Sequence, residues 1–88
     1  MNRRPIHVLL IEDNPGDIRL VRELLAHTRD GQFPLTHVGR LDAGIRCLSE
    51  ATIDVILLDL SLPDSQGIET LIRMHAAAHG IPIVLIDR

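Results

Sequence analysis

Apolar and polar positions alternate along this chain in two rhythms. Short solid apolar blocks stand at residues 6–11, 54–59 and 82–86. Such blocks suit parallel strands covered on both faces. Residues 35–38 form a shorter, less apolar block, as expected of an edge strand. Between the blocks, apolar residues recur at helical spacing. Ile18, Val21 and Leu25, with Leu20 and Leu24 beside them, predict the buried stripe of a first helix. Ile45 and Leu48 predict a second helix over 41–51, weakened by Gly44. Ile68, Leu71 and Ile72 predict a third, running to about Ala78 and closed by His79-Gly80.

The boundaries carry their own signals. Asn14-Pro15-Gly16-Asp17 reads as a helix start, with Asn14 as N-cap, Pro15 first in the helix and Asp17 in its first turn. That helix is expected to end within 28–31. Residues 60–67 carry Pro63 and Gly67 and read as a loop. The resulting order is β-α-β-α-β-α-β, without a linker or low-complexity tract. It predicts one α/β domain over 1–88, a parallel sheet with right-handed crossovers and helices on both faces. Ligands of such sheets bind beyond the carboxyl ends of the strands, where strand order reverses.

Composition narrows the functional classes. The 88 residues are 45% hydrophobic, with one Phe and no Tyr or Trp. Base stacking on aromatic platforms is therefore not expected. A net charge of −3 and mixed signs lack the basic footprint of a nucleic-acid surface. Arg3-Arg4 reads as a solvated start. No apolar run approaches the ~20 residues of a membrane span. The lone Cys47 cannot form an internal disulfide, so a reducing, cytoplasmic setting is expected. Cys47 itself reads as a small buried hydrophobe. His7, His27, His37, His75 and His79 are scattered without metal-ligand spacing, and Arg40, Arg46 and Arg73 read as solvated charges.

The candidate chemistry lies where the first and third strands end. The first stops at Glu12-Asp13, the third at Asp59. With the strands side by side, the acids crowd one patch, and two carboxylates ~4 Å apart repel by roughly 4 kcal/mol at an effective dielectric near 20. A divalent cation removes that cost. Mg²⁺ suits an all-oxygen site that supplies one or two carboxylates. A carboxylate beside it can attack a phosphoryl group and form an acyl phosphate. Asp59, after the most hydrophobic strand and before a flexible loop, is the better nucleophile. Glu12 and Asp13 are the better metal holders.

Val8-Leu9-Leu10-Ile11-Glu12-Asp13-Asn14 and the segment from Val55 through Asp59, Leu60, Ser61, Leu62, Pro63, Asp64, Ser65 and Gln66 to Gly67 together resemble the receiver domain of bacterial two-component response regulators. The resemblance covers the whole chain. It implies a flavodoxin-like, CheY-like fold with strand order 2-1-3-4-5. It implies that Glu12 and Asp13 form the acidic pair, that Asp59 is the phosphoacceptor, and that the main-chain carbonyl of Ser61 completes the Mg²⁺ site. Pro63 and Gly67 match residues that shape the loop. The implied donor is a histidine kinase or phosphotransfer protein.

The chain also departs from that pattern. It stops at the end of the fourth strand, where the family continues through a helix, a strand and a helix. Asp87 stands where the family has a Ser or Thr that senses the phosphoryl group, and the Lys that follows the fifth strand has no counterpart. An exposed fourth strand invites self-association. The leading expectation is a phosphoacceptor signalling module, not an enzyme. The alternative is a non-phosphorylated receiver that dimerises or binds a partner protein. An aspartyl-nucleophile phosphatase would want D-x-D at the first strand end, against Glu12-Asp13-Asn14 here.

Overall fold

Val8, Leu9, Leu10 and Ile11 are all buried, as a strand covered on both faces must be. They form the centre of the sheet in the computed structural model, which describes residues 4–28 and 32–86. The elements run β1 (Val8–Ile11), α1 (Pro15–Ala26), β2 (Leu35–Val38), α2 (Leu41–Glu50), β3 (Val55–Asp59), β4 (Ser61–Leu62), β5 (Ser65–Gln66), α3 (Ile68–Ala78) and β6 (Ile83–Ile86). The main sheet has the order β2-β1-β3-β6 and is parallel throughout. Counting only its own strands, this is the expected 2-1-3-4.

The chain moves one way from β1 to β2 and the other way from β2 through β3 to β6. With right-handed crossovers, α1 lies on one face and α2 with α3 on the other. Side chains alternate along a strand. Leu9 and Ile11 join Leu41, Ile56, Leu58, Leu62 and Met74 in a core beneath α2 and α3. Gly44 lets α2 approach: a Cβ there would overlap Ile11 Cδ1 and lie 3.0 Å from Ile11 Cγ1. The glycine that weakens the second helix by propensity thus seats it on the sheet. Cys47 is half-buried and packs against this core.

The first helix corrects two expectations. It carries no fully buried residue, and Leu20 and Leu24 are 54% and 62% exposed. On its own face of the sheet α1 has no neighbouring helix among the described residues. Only the centre of its stripe, Ile18, Val21 and Leu25, is half-buried. The helix also stops at Ala26, earlier than expected. His27 Nδ1 pairs with the Glu23 carbonyl at 2.7 Å, and the Thr28 hydroxyl donates to the Leu24 carbonyl at 3.1 Å. The Glu23 carbonyl still takes the His27 amide, but the Thr28 hydroxyl replaces the Thr28 amide on the Leu24 carbonyl. That amide turns to the Leu25 carbonyl at 3.2 Å, which ends the helical ladder. Residues 29–31, the remainder of the expected end, lie outside the described residues, as do Arg3 and Asp87.

Two further boundaries shift. The first strand begins at Val8, leaving Ile6 43% exposed. Its partner β2 is preceded by Pro34, which has no N–H for the ladder. Residues 60–67 are not simply a loop: Ser61 and Leu62 pair antiparallel with Gln66 and Ser65, with Pro63-Asp64 at the tip. Gly67, at φ 63°, turns the chain from this hairpin into α3, a backbone region open mainly to glycine. The edge placement of the fourth main strand agrees with expectation. Among the described residues β6 pairs only with β3, and its Val84 and Leu85 are 49% and 46% exposed.

Candidate functional site

Strand register assembles the site. Ile11 lies level with Leu58 across β1 and β3, so the next residues, Glu12 and Asp59, emerge side by side where strand order reverses. Asp13 follows directly. One carboxylate oxygen from each of Glu12, Asp13 and Asp59 lies within 4.8 Å of the others. Glu12 is fully buried and Asp59 is 4% exposed, whereas Asp13 is exposed. Like charges at that spacing repel by about 3.5 kcal/mol per pair at an effective dielectric of 20. Among the described residues, this is the group of acids, histidines or cysteines close enough to hold a metal together. The scattered histidines form no such group among the described residues.

Glu12 and Asp59 are held by their local fold. The Glu12 amide donates to the Val38 carbonyl at 3.0 Å, extending the β1–β2 pairing one residue past the strand. Glu12 Oε1 accepts from the Asn14 amide at 3.0 Å. Asn14 Oδ1 in turn accepts from the Asp17 amide at 3.0 Å, capping α1 as its sequence predicts. His37 Nε2 donates to the Glu12 carbonyl at 2.7 Å. The acidic turn is therefore braced by β2 and by the start of α1. On the β3 side, the Ser61 amide donates to Asp59 Oδ1 at 2.9 Å and fixes the orientation of that carboxylate.

The hairpin beyond Asp59 is wired to itself. Gly67 N–H donates to the Leu60 carbonyl at 2.7 Å, and Thr70 Oγ1 reaches the same oxygen at 3.3 Å. Ser65 and Thr70 hydroxyls pair at 2.8 Å in the interior. Gln66 Nε2 donates to the Leu62 carbonyl at 2.6 Å. An open cavity of about 670 Å³, lined by Asp59, Leu60, Ser61, Gln66, Gly67, Leu85 and Ile86, lies over the end of β3. A reactant can therefore reach Asp59 from solvent.

Sequence reasoning brought Glu12, Asp13, Asp59 and Ser61 to this patch. It missed His37, read as one of several scattered histidines, and Asp64. The Asp64 carboxylate accepts from the Leu41 amide at 2.8 Å and the Asp42 amide at 2.9 Å, at the start of α2. Burial opposes its ionisation, but these backbone hydrogen bonds outweigh burial and hold its carboxyl below the ordinary Asp value. A signal for Asp64 was present: Arg40 stands at the N-cap of α2 and makes no side-chain cap. The cap had to come from elsewhere.

A family model described as the response regulator receiver domain matches residues 8–87. The regulatory protein VirG of Agrobacterium tumefaciens (strain 15955) is 38% identical over 82 residues, which is 92% of this chain and 29% of VirG. Among solved structures, the phosphorylated cyanobacterial phytochrome response regulator RcpA superposes with a TM-score of 0.76 at 30% identity. That match covers 92% of this chain and 64% of RcpA. The Mn(2+)-bound form of response regulator Rcp1 superposes with a TM-score of 0.80 at 30% identity, again covering 92% and 64%. The chain spans 19% to 36% of the length of curated relatives of this kind. No helix among the described residues is long and apolar enough to cross a membrane. By fold, acidic cluster and family match together, this chain belongs to the response regulator receiver domain family of two-component systems.

Proposed function

We propose that this receiver accepts a phosphoryl group onto Asp59 from the phosphohistidine of a histidine kinase or phosphotransfer protein. The observation that carries the reading is a nearly buried Asp59 with Glu12 and Asp13 oxygens within 4.8 Å, beside an open cavity. The donors are all hard oxygens at one strand-end patch, which fits Mg²⁺ better than a softer metal. Glu12, Asp13, Asp59 and the Ser61 main-chain carbonyl would hold it. Bound there, Mg²⁺ supplies neutralisation of negative charge on the transferring group.

The remaining chemistry belongs to the chain. Ser61 N–H holds Oδ1 of Asp59 and so turns the carboxylate. A carboxylate oxygen of Asp59 forms a bond to phosphorus as the P–N bond of the donor breaks. The electron pair leaves with the donor imidazole, and the product is an acyl phosphate on Asp59. The phosphoryl group stays on the chain, so the protein is a substrate of its donor and not a turnover enzyme. A phosphorylated RcpA and a Mn(2+)-bound Rcp1, each 30% identical to this chain, support the reading.

Intact-mass measurement after treatment with acetyl phosphate and Mg²⁺ tests it. The expected result is one added phosphoryl group, absent with a chelator and absent in Asp59→Asn. No mass change under saturating donor would count against it.

A second reading concerns assembly. The half-exposed Val84 and Leu85 on the open edge of β6 favour self-association through that strand. Light scattering on a size-exclusion peak checks this, and a clean 9.8 kDa species would rule it out.

A further inference from the structure

We propose that Asp64 is a positioning residue for Asp59: its carboxylate clamps the tip of the β4–β5 hairpin to the first turn of α2. The inference rests on the reading of Asp59 as phosphoacceptor. Two separate observations meet in it. One is the pair of bonds from the Leu41 and Asp42 amides to the two Asp64 oxygens, at 2.8 and 2.9 Å, where Arg40 supplies no cap. The other is the bond from the Ser61 amide to Asp59 Oδ1, which makes the hairpin itself the support of the acceptor carboxylate.

The hairpin is attached at several points besides its tip. Its base is closed by the Gly67–Leu60 bond, its second strand is tied to α3 by the buried Ser65–Thr70 hydroxyl pair, and Leu62, 1% exposed, anchors the first strand in the core. Burial of Leu62 is non-directional, and the Ser65–Thr70 pair holds the α3 side of the hairpin, so neither ties the Pro63-Asp64 tip to α2. The two charged hydrogen bonds at the tip supply that tie, because both Asp64 oxygens are engaged by neighbouring amides of one helix turn. The first residue of that turn, Leu41, is fully buried, so the clamp is fixed to the core. The favourable end of the α2 dipole adds to its strength. Asp64 thereby sets the angle at which Ser61 presents its N–H to Asp59.

The test compares the unaltered protein with Asp64→Ala, Asp64→Asn and Ser49→Gly. The last loosens the exposed final turn of α2 without touching the hairpin, and it separates lost stability from lost position. Hydrogen exchange is read at the amides of Leu41, Asp42 and Ser61, and phosphoryl uptake is followed against acetyl phosphate concentration. Asp64→Ala is expected to speed exchange at all three amides. It should lower the maximal rate of uptake roughly tenfold at an unchanged half-saturating concentration. Asp64→Asn, with one acceptor oxygen left, should recover part of both effects, and Ser49→Gly should show neither at Ser61.

The proposal is overturned if Asp64→Ala frees Leu41 and Asp42 while Ser61 exchange and uptake stay unchanged. It is also overturned if Ser49→Gly reproduces the loss. If the unaltered protein takes up no phosphoryl group, the Asp59 reading fails, and Ser61 exchange alone decides the clamp.

Discussion

The His37 imidazole donates from Nε2 to the main-chain oxygen of Glu12 across 2.7 Å, so β2 braces the turn that carries the acidic pair. A carbonyl only accepts, which requires the proton on Nε2. His37→Ala removes one hydrogen bond and is expected to cost about 1 kcal/mol in urea unfolding. Because the lost partner is the backbone of Glu12, Mn²⁺ titration should also show a several-fold weaker affinity. Unchanged metal affinity would limit His37 to a purely structural part.

Gly44→Ala opposes two effects of known size. Alanine gains about 1 kcal/mol of helix propensity over glycine. Against that, its Cβ would overlap Ile11 Cδ1 and crowd Ile11 Cγ1 at 3.0 Å, in a core where Ile11 is fully buried. Overpacking of this kind costs about 1–3 kcal/mol. The expected net result in chemical unfolding is destabilisation of about 1 kcal/mol. Adding Ile11→Val, which removes the clashing methyl, should bring much of it back.

Asn14→Ala deletes the acceptor that caps the Asp17 amide at the start of α1. The expected loss is about 1 kcal/mol of stability by urea unfolding. The Asn14 main-chain bond to Glu12 Oε1 remains available, so divalent-metal affinity should change less than in His37→Ala.

Asp64 also predicts a pH dependence. Its carboxyl is held below the ordinary value of 3.8 by the Asp42 and Leu41 amides, in spite of burial. A depressed folded-state value contributes stability above the ordinary value, lost as pH falls through the lowered one. The unaltered protein should therefore exceed Asp64→Asn in stability at neutral pH. The two should converge as the solution is acidified below the ordinary Asp range. Paired urea unfolding curves check this, and a difference that grows on acidification would reverse the sign.

Much of the fold was legible because it is locally encoded. Apolar blocks of strand length and stripes at helical spacing placed every main element, and the acids at the ends of two blocks located the site. Cross-chain contacts were less legible. Asp64 reaches back 23 residues to Leu41, and His37 reaches back 25 to Glu12. No periodicity records such a bond, and only the unsuitable N-cap Arg40 hinted at the first. Helical spacing assigned Leu20 and Leu24 to a stripe, but a stripe does not show whether a neighbour covers its flanks. The β4–β5 hairpin, with two residues per strand, is too short for an alternating pattern.

The most direct test of the central claim locates the phosphoryl group. Protein treated with acetyl phosphate and Mg²⁺ is reduced with borohydride, which converts an aspartyl phosphate to homoserine, and the digest is sequenced by mass spectrometry. The account predicts homoserine at position 59 and Asp at 13, 64 and elsewhere. Homoserine at another aspartate with position 59 intact, or no homoserine in protein that has gained a phosphoryl group, would contradict it.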